Sequence, residues 1–585
     1  MLSRFSLALP LLALFVPLFA PSSARACGGT FCDNTGIPMP VDQRGEDILF
    51  VQDGPEFEVH VRIQYEGEAE RFAWVVPLQA VPEISVGSEL LFVRLAEATA
   101  PRWNTNRTEE CPDPSPPGGG FVPANDAAGA SEDPEVVLEA TVGAFEVVVL
   151  QGGTAAEVID FLDQNGYAQD PQAEPILQEY LDEGFLFAAV KLSADASVDA
   201  IHPLVFRFPG DEPCVPIRLT RIAAEEDMGI RAYFLGQERW VPSNYQHVVL
   251  NPLAFPWSQI SWESSTEYTE LLTLAVDAAG GRAFATDYAG PAGVVGTWGI
   301  YQPSWDEAAF VGLNMIEALD LIRDQLLNTH PLIQPLLLEF MPPPEGVDPQ
   351  QFWNNIEFYV DLVDVEAWDS AGFAVALGER IIEPGLHAVD LLEAWPYLSR
   401  LHTTISPHEM TVDPMFRPAP QMPPVDNNRL AQRVDLCGDE AGVRYQVPFG
   451  MQPRTVCLAQ SQFEWPAELR AHPALRIEWI PPVGPPQVLE DFTPQILSAH
   501  AAYQADKSCE LGGGGGGGGD DGGPSEGGDD GSVDGGETGG ASLSDREGKA
   551  GCACRIDEQR SPIGAVIGWL GLASLVGWRR RRARV

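Results

Sequence analysis

The sequence predicts an α+β protein: a β-rich, extracytoplasmic body of several subdomains, then a disordered Gly/Asp tether and a C-terminal transmembrane helix. Three observations lead there. Strand-like alternation and helix-start signals both recur through residues 27–509. The stretch 510–550 is too rich in glycine and acid to bury a core. Finally, the chain carries one apolar run behind Arg4 and another ahead of a terminal arginine block. A body of about 480 residues outgrows a single core, so two or more packed subdomains are expected.

The opening, "MLSRFSLALPLLALFVPLFAPSSARA", has a basic residue, an apolar run over about residues 7–19 and small residues at Ala24 and Ala26. This reads as a secretory signal peptide over residues 1–26, cut between Ala26 and Cys27. Lipidation at Cys27 is the rival, but Arg25 beside the cut fits it poorly. An uncut anchor is disfavoured because the run is short.

In the body, "FEVHVRIQY" alternates Phe57, Val59, Val61, Ile63 and Tyr65 with polar residues, the pattern of a half-buried strand. "RFAWVVPL" is its expected partner, after a turn at Glu66 and Gly67. Residues 104–134 are rich in Pro, Gly and acid and read as a disordered loop. Further on, "FLFAAVKLS", "PLVFRF", "VPIRLTRI" and "IRAYFL" are spaced as strands of a meander. Helix starts are marked by the capping-box spacing of Thr154 with Glu157, Ser264 with Glu267, and Ser304 with Glu307. After the second start, Tyr268, Leu271, Leu272, Ala275, Val276 and Ala279 form one apolar stripe, which Gly280 ends.

The formal net charge is −49, nearly all of it on the body, and the chain's lysines are Lys191, Lys507 and Lys549. Such a field repels phosphate backbones and excludes nucleic acid as a partner. A solvated acidic surface is the plain reading; calcium is the sharper one, but the body has no D-x-D-x-D-G loop. Gly523, Ser525 and Gly527 fit G-x-S-x-G, but they lie in the tether, where no strand or helix can build a nucleophile elbow. His402, His408 and Glu409 are the nearest thing to a metal cluster, without H-E-x-x-H or C-x-x-C spacing. Arg282, Thr286, Asp287 and Tyr288 are a second candidate, with Thr286 and Tyr288 on one strand face and Asp287 on the other. A helix-to-strand junction buried by Phe284 and Tyr288 is the plainer reading of that segment. No catalytic residue, metal ligand or cofactor is therefore assigned.

The nine cysteines of an exported chain point to disulfides. Short loops favour Cys27 with Cys32 and Cys437 with Cys457; Cys111, Cys214 and Cys509 leave one over. As a flexible coil of about forty residues the tether would hold the body roughly 35 Å from its anchor. Residues 563–578, as a helix, span roughly 24 Å, short of a hydrocarbon core of about 30 Å. Arg579, Arg580, Arg581, Arg582 and Arg584 would stay cytoplasmic and hold the body outside.

The order of Gly-rich linker, Cys552-Ala553-Cys554, apolar helix and arginines over residues 551–585 resembles the myxobacterial C-terminal sorting signal called MYXO-CTERM. That resemblance implies cleavage near the cysteines by an intramembrane sorting protease, with the export machinery and the membrane as partners. The destination it implies is the surface, at the outer membrane of a Gram-negative cell. "CGGTFCD", "PVDQRGEDILF", "VHVRIQYEGEAERFAWVVPL" and "VGSELLFVRLAEAT" resemble the bacterial family called domain of unknown function 2330. "GGRAFATDYAG" and "PYLSRLHTTISPHEMTVDPMF" are similar to later segments of it, which extends the resemblance over most of residues 27–509. No activity comes with that family. The expectation is a non-enzymatic binding or structural envelope protein with an unidentified ligand; the alternative is a surface hydrolase with a site built from dispersed residues.

Overall fold

The structure, a computed structural model, describes residues 43–62, 73–110, 139–164, 172–193, 200–210, 212–222, 224–260, 264–359, 362–363, 368–436, 442–459, 464–505 and 507. The signal peptide, Cys27, Cys32, Cys437, the tether, Cys552, Cys554 and the arginine block lie outside them. Among the described residues, no helix is long and apolar enough to cross a membrane.

Helices and strands contribute comparably, and the strands fall into several sheets. The largest has ten strands, in the spatial order Gln487–Asp491, Ala474–Trp479, Gln246–Leu250, Ala283–Pro291, Tyr397–Ile405, Ala224–Gly236, Gln43–Asp53, Glu56–Arg62, Leu204–Pro209 and Glu83–Val86. Gln43–Asp53 runs parallel to Ala224–Gly236, and Gln246–Leu250 parallel to Ala283–Pro291; the other pairs are antiparallel.

Alternation along each strand sends side chains to two different cores. Ile48, Phe50, Phe57, Val59, Val61, Ile230 and Phe234 pack against Trp74, Val76, Val147 and Val190 of a four-stranded sheet. That second sheet turns Val75, Phe187 and Ala189 to the helices Ala155–Gln164 and Ala173–Asp182. On the opposite face of the large sheet, Leu49, Val51, Tyr233 and Leu235 meet the helices Glu89–Thr99 and Glu383–Ala394 through Leu91, Phe92, Ala388 and Leu391. Further along, the helix Ser264–Ala278 shares a core with a four-stranded sheet that includes Arg102–Glu110 and Asn428–Leu436. The helices between Met315 and Ile382 form a core of their own.

Several expectations change. "RFAWVVPL" supplies the strand Ala73–Leu78, which pairs with Leu186–Leu192 in the second sheet and not with the strand Glu56–Arg62; the expected turn at Glu66 and Gly67 lies outside the described residues. The two segments meet face to face across a core, because both bury apolar rows that edge-to-edge pairing would leave on one layer. No meander forms. "VPIRLTRI" contains the short helix Ile217–Thr220, and the segments either side enter the large sheet while "FLFAAVKLS" enters the small one. Residues 104–110, expected as loop, extend the strand Arg102–Glu110 in parallel register with Asn428–Leu436. The predicted caps fare differently. At Ala155–Gln164, Thr154 and Glu157 exchange the capping hydrogen bonds. Glu307–Phe310 is only a 3-10 turn, capped by Asp306 and not by Ser304. Tyr268, Leu271, Leu272, Ala275, Val276 and Ala279 are all buried, and Gly280 follows with a positive φ of 75°.

Candidate functional site

The strand Glu56–Arg62 puts Phe57, Val59 and Val61 into one core, so Glu58, His60 and Arg62 point to the opposite face. Alternation alone would leave that face in water. Here it is covered, and all three polar residues are buried. Across the strands, Arg62 is in register with Asp47, Asp47 with Arg231, and Arg231 with His402. Four adjacent strands thus carry a polar band beneath the covering helices.

Most of this band is spent on internal pairing. Arg62 reaches Asp47 at 3.3 Å and Glu89, at the start of a covering helix, at 2.9 Å. Arg231 closes on Asp47 at 2.8 Å. Burial pushes the Asp47 carboxyl upward, but the Arg231 and Arg62 guanidiniums outweigh it and hold it below the usual carboxylate range. At the next strand, Arg400 lies 2.9 Å and His402 3.4 Å from Asp287, and Tyr268 donates to the same carboxylate. Asp287 is 1% exposed; burial opposes its charge, yet Arg400 and His402 hold its carboxyl low. Burial, with Asp287 alongside, drives the Tyr268 phenol well above its ordinary value.

One group has a different character. Nε2 of His60 lies 2.6 Å, and Nε2 of His387 2.5 Å, from the same oxygen of Glu58. The two imidazoles stack at 6.0 Å with 16° between their planes. Glu58 and His60 alternate on one rigid strand; His387 descends from the helix Glu383–Ala394, seated by Ala388 and Leu391. Burial raises the Glu58 carboxyl, but hydrogen bonds from His387 and His60 more than reverse this, so it is a carboxylate at neutral pH. Burial opposes protonation of His387, and Glu58 outweighs it, raising the imidazole's pKa. His387 keeps 39% of its side chain exposed, whereas His60 is 2% exposed. Two nitrogens and a carboxylate oxygen, all within 4.8 Å of one another, could hold one metal ion.

The residues singled out in the sequence are scattered. His402 joins Asp287, but His408 is largely exposed, 4.0 Å from Glu226, and Glu409 accepts from the Ser406 backbone. A register shift between Thr286 and Tyr288 breaks the expected sharing of a face. Thr286 meets Arg239 and His247, Tyr288 donates to the Pro291 carbonyl, and Arg282 donates to Thr411. Cys214 and Cys457 are half-cystines whose partners are not among the described residues. Sequence reasoning missed Glu58, His60 and His387. The Glu-x-His on a strand was a legible signal, but His387 lies far along the chain and nothing marks it.

These features define a multi-sheet α+β body whose buried polar band ends in one open His/His/Glu group. Residues 21–294 match the family described as "Uncharacterized protein conserved in bacteria (DUF2330)". Neither the curated proteins nor the solved structures gave a match to the chain. The matched residues supply seven strands of the ten-stranded sheet; Tyr397–Ile405, Ala474–Trp479 and Gln487–Asp491 come from beyond them.

Proposed function

We propose that the chain is an exported protein, held at the cell surface, whose body binds a ligand or envelope component and does not turn over a substrate. The observation that carries the binding reading is the state of the residues a hydrolase would need. Asp287, His402 and Tyr268 do come together, but within a buried ion-paired cluster with Arg400. A general base must reach the proton it abstracts, and this group is buried within its own cluster. We also read residues 27–509 as one unit of the family's type, because strands beyond residue 294 are interleaved with the matched ones.

Localisation is supported by the order of the terminal segments: residues 1–26 for export, 510–550 as tether, 551–585 as sorting signal. A cysteine at the membrane edge is also the residue that a lipid would use to retain the body after cleavage. Replacing Cys552 and Cys554 together by Ala is expected to leave export intact and abolish surface labelling of whole cells. Intact-mass analysis of the surface-released wild type should lack the arginine block; a mass that runs through Val585 overturns the processing step. For the body, ester, peptide and glycoside reporters should show no turnover. Turnover that is lost in H402N, with the circular dichroism spectrum unchanged, would establish the hydrolase alternative.

A further inference from the structure

We propose that Glu58, His60 and His387 form a binding site for one divalent first-row transition ion, with Zn²⁺ the foremost occupant. Two imidazole nitrogens with one carboxylate oxygen is a donor set suited to Zn²⁺, Co²⁺ or Fe²⁺, and poorly suited to Ca²⁺ or Mg²⁺, which prefer oxygen. The site holds wherever the chain resides, because it rests on folded elements of the body alone.

Its geometry argues against a plain ion pair. A half-buried His387 paired with Glu58 would need no second imidazole. His60 is nonetheless buried, stacked on His387, and aims its Nε2 at the same oxygen. Both ring nitrogens and the carboxylate oxygen lie within 4.8 Å of one another, close enough for a single cation to be shared by all three. Donors around a tetrahedral ion with bonds of about 2.0–2.1 Å stand about 3.3 Å apart, so the 2.5–2.6 Å contacts must open by only about 0.8 Å. The protein supplies three ligands, and the exposed flank of His387 leaves the next position to water or to an incoming ligand.

The supporting shell is thin. Nδ1 of His60 is buried and makes no hydrogen bond among the described residues, so no outer partner supports the ring on the side away from Glu58. Missing supports of that kind typically weaken a site about 10–100-fold.

Cobalt titration of the full chain, first dialysed against EDTA, is the test. One equivalent of Co²⁺ should produce visible d–d absorption and be displaced by Zn²⁺. In H387A, whose altered side chain is 39% exposed, the apparent affinity should fall by more than about 100-fold while the circular dichroism spectrum is retained. E58Q should lose affinity as well. Absence of stoichiometric binding to the wild type overturns the proposal. So does binding that H387A leaves unchanged, including an intense near-ultraviolet thiolate band that would place the ion on cysteines.

Discussion

Asp287 carries a charge that is almost fully buried. Its carboxylate answers Arg400, His402 and Tyr268, all of them buried. D287N keeps the shape but leaves the Arg400 guanidinium without a counter-charge, and breaking such a pair typically costs about 3–5 kcal/mol. Urea unfolding should register that as a lower midpoint. Because the folded-state carboxyl is held below its ordinary value, its contribution is present above the usual carboxylate range and lost as pH falls. The D287N difference should therefore shrink in acid. Two buried histidines act earlier in an acid titration. Burial pushes His202 down to about 4, and His330 down to about 3. Unfolding lets each take a proton at its ordinary value, so stability falls with pH from about 6.5 downward, by about 1.4 kcal/mol per pH unit for each. Unfolding midpoints measured between pH 7 and 4.5 check the slope; a flat profile would contradict it.

The helix Ser264–Ala278 and the strand Glu56–Arg62 illustrate how one pattern can be read well and another half-read. The helix stripe ends up wholly in one core, with Leu272 completely buried; L272A should cost about 2–5 kcal/mol in urea unfolding. Its exit to the strand Ala283–Pro291 depends on Gly281, at φ +76°, where a Cβ would stand 2.0 Å from a Glu409 carboxylate oxygen. G281A should lower the stability by about 1–3 kcal/mol in urea unfolding, combining left-handed strain with displacement of Glu409. The strand is the half-read case. Its apolar face was legible from alternation, but alternation cannot tell whether the polar face meets water or a helix. Two covering helices close over it, and that closure turns Glu58 and His60 from surface residues into a candidate site.

For the molecule as a whole, the interleaved sheet sets what can fold alone. Tyr397–Ile405 lies between Ala224–Gly236 and Ala283–Pro291, with both ladders formed along most of its length. A chain ending at residue 294 would expose those two edges and the apolar rows beside them. Such a truncation should be insoluble or protease-sensitive, while a body ending after residue 509 should give one cooperative unfolding transition. We propose that a disulfide ties down the same body, joining Cys457, on the strand Arg454–Ala459, to Cys437. Non-reducing peptide mapping should recover Cys437 and Cys457 in one linked pair; closure of that loop is worth about 3 kcal/mol. Free Cys437, or Cys457 linked elsewhere, would exclude the pairing.

Local periodicity and capping chemistry are properties of neighbouring residues. The sequence alone therefore determined the mixed α+β class, the stripe from Tyr268 to Ala279, the start at Thr154 and the strand character of "FEVHVR". Pairing between distant segments depends on which apolar faces find each other, and only the tertiary structure decided it. It sent Ala73–Leu78 to the second sheet and drew residues 104–110 into a ladder with Asn428–Leu436. It also brought His402 to Asp287 and laid His387 over a strand more than three hundred residues earlier. The candidate site belongs to this second class: its donors converge because a helix buries Ala388 and Leu391 against the sheet, a packing event that no spacing within the sequence encodes.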